Sequence, residues 1–247
     1  LLAGERRPLF LGDWDTPVFL HFAMPPAVLQ PRCAFPLDLW HGEAVVSLVA
    51  FTMRRFRFAR GGCLGAWACG PFREQKFLNL RTYVRVDGEP GISFLAEWIS
   101  DWLQTQLGPV LYGLPYHWGR HDFRHGADGT NWNGRVRSRV ADGAEFRYEA
   151  APINHAWASS TAGSRDEFLL ERHTCFLAGQ GWERFFRIWH PPWPQTAAAA
   201  QIHDDGLLRK FAPWWGEARL IGANLSPGVR DVWMGRPQRC VRPGIRA

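Results

Sequence analysis

Lysine is nearly missing from this chain: of its 29 basic residues only Lys76 and Lys210 are lysines, and the rest are arginines. Two amines leave little material for imine chemistry. Long apolar runs are also missing, so no segment can span a bilayer as a helix. A soluble, cytoplasmic protein without a membrane partner is expected. The opening LLAGERRP has an early acid and no apolar core, unlike a secretory signal. The five cysteines, Cys33, Cys63, Cys69, Cys175 and Cys240, form no C-x-x-C pair and are odd in number. That pattern argues against a zinc ribbon or a disulfide scaffold and for reduced thiols. No G-x-S-x-G elbow, Walker loop or H-E-x-x-H occurs. Gly61-Gly62 with Gly65 is too irregular for a phosphate loop, and no βα unit frames it. No cofactor is expected. The net charge of +6 and pI near 9.4 are spread along the chain rather than massed in one arm, so nucleic acid is not an expected partner.

What is abundant is aromatic bulk, with 14 Trp and 17 Phe in 247 residues. This is enough for one domain covering residues 1–247 with a substantial core. Apolar patterning predicts strands at Val18–Phe22, Phe35–Leu39, Ala44–Phe58, Pro115–Phe123, Trp132–Val140, Ala144–Ala150, Trp182–Trp189, Ala218–Ala223 and Gly228–Trp233. Residues 60–72 read as a loop, PPAVLQP as a short helical turn, and Ala197–Ala200 as a small-residue run. Helical spacing follows Trp98, with Ser100 as cap and an end near Leu107 before Gly108-Pro109. Ser164 and Glu167 form a capping box for a helix running to about Phe176. Asp204–Phe211 reads as a last short helix. Many strands with few helices point to an α+β, mainly antiparallel fold, closed or nearly closed into a barrel that protects its edges.

The stretch FLNLRTYVRVDGEPGISFL, from Phe77 to Leu95, is the most distinctive part. It reads as a long hairpin turning at Asp87-Gly88. Alternation puts Asn79, Arg81 and Tyr83 on one face and Leu80, Thr82 and Val84 on the other. Either the polar face is open to water or it lines a cavity with polar contents.

This hairpin resembles the signature of the uncharacterised YqjF-like bacterial proteins. Phe19-Leu20-His21-Phe22 with PPAVLQP, Leu114-Pro115-Tyr116, FLLERHTCFL, HPPWP and Ser226-Pro227-Gly228-Val229 match further stretches in order. The family is similar to acetoacetate decarboxylase. That resemblance implies a cone-like, mostly antiparallel barrel with a few peripheral helices and an internal pocket. It does not carry over the reaction. The decarboxylase forms a Schiff base on a lysine, and the matching segment here, GPVLYGLPY, contains none.

Several residues could carry chemistry. Arg81 could bind a carboxylate or phosphate with two-pronged geometry; an ion pair with Glu97 or a solvated face are the bland alternatives. Glu97, in Trp-rich surroundings, could be an acid or base of raised pKa, or could pair with Arg81 or cap the following helix, as could Asp101. His21 and His190 are further proton-handling candidates. Asn79, Tyr83, Tyr116 and His117 complete the candidate ligand-binding set, and Tyr148 could also present a hydroxyl. His117, His121 and His125 share one side of a strand, but two-pleat separations are too long for one metal without a bend. Trp214-Trp215 could mark a partner surface or belong to the core. The expected function is binding of a small anionic or carbonyl-bearing organic molecule. The alternatives are a lysine-independent acid–base enzyme of hydratase, dehydratase or aldolase type, and a structural domain with a filled barrel. A homo-oligomer is compatible with each.

Overall fold

The computed structural model describes residues 8–60, 62, 70, 74–126, 131–140 and 142–240. Most of the expected 60–72 loop, with Cys63 and Cys69, lies outside the described residues. The strands are β1 (Phe10–Met24), β2 (Ala44–Phe58), β3 (Glu74–Val86), β4 (Glu89–Ile99), β5 (Tyr116–Arg124), β6 (Trp132–Ser138), β7 (Glu145–Pro152), β8 (Thr174–Gly179), β9 (Trp182–Trp189), β10 (Thr196–Asp204), β11 (Arg219–Leu225), β12 (Gly228–Met234) and the short β13 (Gln238–Arg239). Among the described residues, the α-helices with them are α1 (Pro26–Leu29), α2 (Trp102–Leu111), α3 (Arg165–Leu170) and α4 (Gly206–Phe211). Among the described residues no helix is long and apolar enough to cross a membrane.

β1 through β4 pair in sequence order, all antiparallel. The two outer strands of this wall each fork. Val18–Ala23 of β1 pairs with β11, whereas Phe10–Asp15 pairs with β12. Glu97–Ile99 of β4 runs parallel to β5, whereas Ile92–Ser93 runs parallel to β8. Two closed circuits of strands result. The first returns from β4 through β5, β6, β7, β10 and β11 to β1, and the second through β8, β9 and β12. This ring-like, mainly antiparallel sheet with few helices is the α+β arrangement expected.

The shared wall resolves the question posed by the hairpin. Neither face of β3 is open to water: residues 77–84 are all buried. Even-numbered Leu78 and Leu80 join the first circuit's core, with Leu20, Leu48, Trp98 and Phe146. Odd-numbered Phe77 and Tyr83 join the second circuit's core, with Phe19, Val49, Phe51 and Phe186. Strict alternation on a strand buried on both sides sends successive side chains into different interiors. The turn has Asp87 at φ 49° and Gly88 at φ 83°, the doubly left-handed geometry that a two-residue hairpin requires.

Several expectations need correction. Phe35–Leu39 is not a strand; only Leu37 bridges to Val84. The Ala197–Ala200 run belongs to β10, where its small side chains pair with residues 150–152 of β7. Asp101, not Ser100, caps α2 by accepting from the Gln104 N–H at 2.9 Å. The helix also continues past Pro109, because the Tyr112 and Gly113 N–H groups bond to the Gly108 and Pro109 carbonyls and close the final turn. Ser164 does cap α3 by accepting from the Glu167 N–H, but the Glu167 carboxylate accepts from the Gly163 N–H rather than that of Ser164, so the box is not reciprocal, and α3 ends at Leu170. Cys175 and Phe176 lie in β8, bonded to β4 on one side and β9 on the other. Trp215 is a core residue packed on Phe22 at 4.7 Å, not an exposed partner surface.

Candidate functional site

Strand register sets out the site. Asn79 lies directly opposite Glu97 across β3–β4, and Glu97 opposite Tyr116 across β4–β5. The three form a row on the face that looks into the second circuit. A bulge in β4 makes this possible. Leu80 pairs with Ala96 but Arg81 pairs with Phe94, so Leu95 is left over. The extra residue lets Phe94 and Glu97, three positions apart, reach the same interior. There they line a cavity of about 320 Å³ whose other walls include Phe51, Phe77, Tyr112, Phe186 and Ile188. Tyr116 in turn depends on Gly108, because a methyl group there would overlap its ring.

A smaller chamber of about 30 Å³ adjoins the cavity and shares Trp14, Phe51, Asn79, Phe94 and Ile188 with it. Arg81, Arg172 and His190 line it. Arg81 donates from Nη2 to the Leu169 carbonyl at 3.0 Å. Arg172 has its counter-ion, Asp38, at 2.8 Å. No carboxylate lies within ion-pair distance of Arg81 among the described residues, so the anticipated Arg81–Glu97 ion pair is not formed. Glu97 is 3% exposed. Burial drives its carboxyl well above the usual range, and the nearby Arg81 charge only partly opposes that. Burial thus favours the protonated form of this acid. Burial also holds His190 down to about 3. Its Nδ1 lies 2.8 Å from the Pro191 carbonyl, so Nδ1 carries the proton and Nε2 the lone pair. The Tyr116 hydroxyl is pushed well up, first by burial and then by Glu97.

Four buried polar atoms around these chambers have no hydrogen-bond partner: Trp14 Nε1, Asn79 Oδ1, Arg81 Nε and Glu97 Oε1. Folded proteins rarely leave such atoms unmatched, since each orphan costs about 1–3 kcal/mol. All four gather around these two adjoining chambers.

The remaining candidates are placed elsewhere. The Tyr83 hydroxyl bonds to Ser47 Oγ at 2.6 Å and to the Leu169 carbonyl at 3.0 Å, outside the cavity lining. It thus shares with Arg81 the carbonyl that anchors the guanidinium. His21 is held between Ser47 Oγ and Asn224 Oδ1, and burial lowers it to about 3; it lines neither chamber. His117 faces the opposite side of β5, beside Trp98 and Phe211 in an open groove. His121 contacts the Trp98 carbonyl, and His125 contacts the Thr16 carbonyl and the Tyr148 hydroxyl. The three rings are thus engaged separately, and no cluster suited to a metal occurs among the described residues. Lys76 lies over Phe123, and Lys210 pairs with Asp142 at 2.5 Å. Neither amine lines the Glu97 cavity. Arg172 and Trp14 were not foreseen. Arg172 lies within the FLLERHTCFL stretch, but only the packing of α3 and β8 against β3 brings it to the chamber.

The family model that matches this sequence, DUF2071, described as an uncharacterized conserved protein, spans residues 12–214. The chain belongs to this family. Among curated relatives, the uncharacterized protein YqjF of Bacillus subtilis (strain 168) is 27% identical over 197 residues, covering 78% of this chain and 74% of its own. Among solved structures, acetoacetate decarboxylase from Legionella pneumophila superposes on this DUF2071 chain with a TM-score of 0.66 at 11% identity, over 95% of this chain and 88% of that one. An acetoacetate decarboxylase-like enzyme from Sphingomonas wittichii RW1 gives 0.61 at 12% identity, over 97% and 96%. The enduracididine biosynthesis enzyme MppR, in a complex with pyruvate, also gives 0.61 at 12%, over 96% and 92%. These structural likenesses establish a shared fold.

Proposed function

We propose that this DUF2071 protein binds a small organic molecule in the second-circuit cavity, with the anionic or carbonyl end of the molecule at Asn79, Arg81 and Glu97. The observation that carries the reading is the set of partnerless buried atoms converging on an otherwise aromatic chamber. Glu97, whose pKa burial raises, can offer an O–H donor, Arg81 a guanidinium fork, and Asn79 either sense of hydrogen bond. Around these buried groups the apolar side chains strengthen each contact. A cavity of this volume is at the lower end of the range typical for small-molecule sites. A fold neighbour solved with pyruvate supports a carbonyl compound as the kind of molecule this architecture accepts.

The test is Asn79→Leu, a near-isosteric change that removes an orphaned polar group. For a binding site, the variant melts higher than the wild type when empty and loses the thermal shift given by ligands from a small-molecule panel. A variant less stable than wild type that keeps those shifts would overturn the reading.

The raised Glu97 acid favours a second reading, a lysine-independent acid–base enzyme, in which Glu97 donates its proton to a substrate carbonyl oxygen and the lone pair on His190 Nε2, in the adjoining chamber, takes the α-proton as enolisation proceeds. NMR detection of deuterium exchange at the α-carbon of a bound ketone in heavy water, abolished in Glu97→Gln, would support it; equal exchange in the variant would sink it.

A further inference from the structure

Shape and charge at this site go further than a generic polar ligand. The larger chamber is long in aromatic and aliphatic side chains and short in polar ones: beyond Asn79, Glu97, Gln104 and the Tyr112 and Tyr116 rings, its walls are hydrocarbon, tryptophan or thioether, apart from the backbone of Gly108. At the packing density of protein interiors, about 320 Å³ holds roughly ten to twelve non-hydrogen atoms. A three- or four-carbon oxo acid would leave most of that volume empty and its apolar walls uncontacted. The small chamber is also largely apolar, with Phe19, Val49, Ile92, Leu170 and Trp193 in its walls, but it differs in its cations. It holds room for one polar group and is lined by two guanidiniums, of which only Arg172 has a carboxylate partner. His190, held down to about 3, adds no charge there, and among the described residues Arg81 has no carboxylate within ion-pair distance, whereas Arg172 beside it holds Asp38. A buried cation without an anion is unfavourable, and Arg81 Nε together with Trp14 Nε1 are donors that lack acceptors. Donors and a net positive charge at one end, and an aromatic chamber at the other, define a head and a tail.

We infer that the ligand is a hydrophobic monocarboxylate of roughly ten to twelve non-hydrogen atoms, its carboxylate at Arg81 and Trp14 and its acyl or aryl body against Phe51, Phe94, Phe186 and Ile188. This inference rests on the binding reading above and narrows it to a ligand class. Such a molecule pairs with Arg81, supplies two acceptor oxygens, and lays its apolar part against aromatic and aliphatic walls. The chamber order also sets selectivity: an uncharged amide of the same length fills the tail chamber but leaves Arg81 without its anion, and a short oxo acid satisfies Arg81 but leaves the tail chamber bare.

Isothermal titration of the full chain with octanoate, 4-phenylbutanoate, octanamide and pyruvate tests this directly. Octanoate and 4-phenylbutanoate are expected to bind, octanamide about tenfold to a hundredfold more weakly, and pyruvate more weakly than either acid. Octanamide binding as tightly as octanoate would overturn the inference, and so would pyruvate binding more tightly than octanoate or a failure of both long acids to bind. These comparisons use the wild-type protein, so they do not depend on a variant folding. In Arg81→Gln the octanoate-over-octanamide preference is expected to vanish; a preserved preference would place the carboxylate elsewhere and refute the assignment. Recovery of a tightly bound neutral molecule from the native protein would leave the binding reading standing and overturn the carboxylate class.

Discussion

Glu97 gives the sharpest stability prediction. Its carboxyl is 3% exposed, accepts no hydrogen bond at Oε1, and has no cation within ion-pair distance among the described residues. Burial therefore dominates over the attraction of Arg81, and the folded state holds the proton well above the ordinary carboxylate value of 4.5. The unfolded chain releases that proton near the ordinary value. Between the two values the folded state binds more protons than the unfolded one, so stability falls as pH rises, by about 1.4 kcal/mol per pH unit, until Glu97 itself ionises. Glu97→Gln is neutral at every pH and lacks this loss. As pH rises above the ordinary carboxylate value, the variant should gain steadily on the wild type. Urea unfolding of both proteins at pH 5.5, 6.25 and 7 measures the difference, and titrations common to both cancel in it. Parallel stability curves would show that Glu97 is ionised in the fold, serving as the counter-ion of Arg81, and would refute the neutral-acid argument.

Acid should act through the histidines with the opposite sign. Burial lowers His21 and His190 to about 3, and His121 and His125 to about 4. Their neutral forms stabilise the fold fully above pH 6.5 and progressively less as pH falls toward the folded values. The four together weaken the fold by up to about 5 kcal/mol per pH unit, so circular dichroism should show unfolding before pH 4; a native spectrum at pH 4 would contradict the assignment. Gly108→Ala forces a methyl group against the Tyr116 ring and should cost about 1–3 kcal/mol, with weakened ligand binding measured by titration; unchanged affinity would remove Tyr116 from the site. The Asp13 side chain is fully buried and accepts from Arg55, Arg230 and the Asp231 N–H. Both arginines reach water, so Asp13→Ala should lose about 2 kcal/mol in chemical denaturation, and a loss below about 0.5 kcal/mol would mean the cluster is dispensable.

Much of the fold was readable from strand patterning. Ala44–Phe58 and Trp182–Trp189 carry apolar or alternating runs that end where the strands end, and Asp87-Gly88 named its own turn. The errors have local causes. Pro109 reads as a helix end, yet backbone donors beyond it close the helix. The Ala197–Ala200 run has no branched or aromatic signal, and its extended state is imposed by β7. The polar face of β3 was visible, and so were Asn79, Arg81 and Glu97 as residues. Their division between two chambers was not, because it depends on the β4 bulge at Leu95 and on the forking of β1 and β4. Tyr83 shows the limit most clearly. Alternation places it beside Arg81, but only the position of α3 reveals that its hydroxyl is already committed to the Leu169 carbonyl.

The central claim is that the Asn79–Arg81–Glu97 cavity holds a small organic molecule anchored by Arg81. Native mass spectrometry of the full chain purified under mild conditions from its own host tests it most directly, comparing wild type with Arg81→Gln. The account predicts a bound species of roughly 140–175 Da, the mass of a monocarboxylic acid of ten to twelve non-hydrogen atoms, on the wild type and its loss from the variant. The same bound species at equal occupancy on both proteins would contradict it.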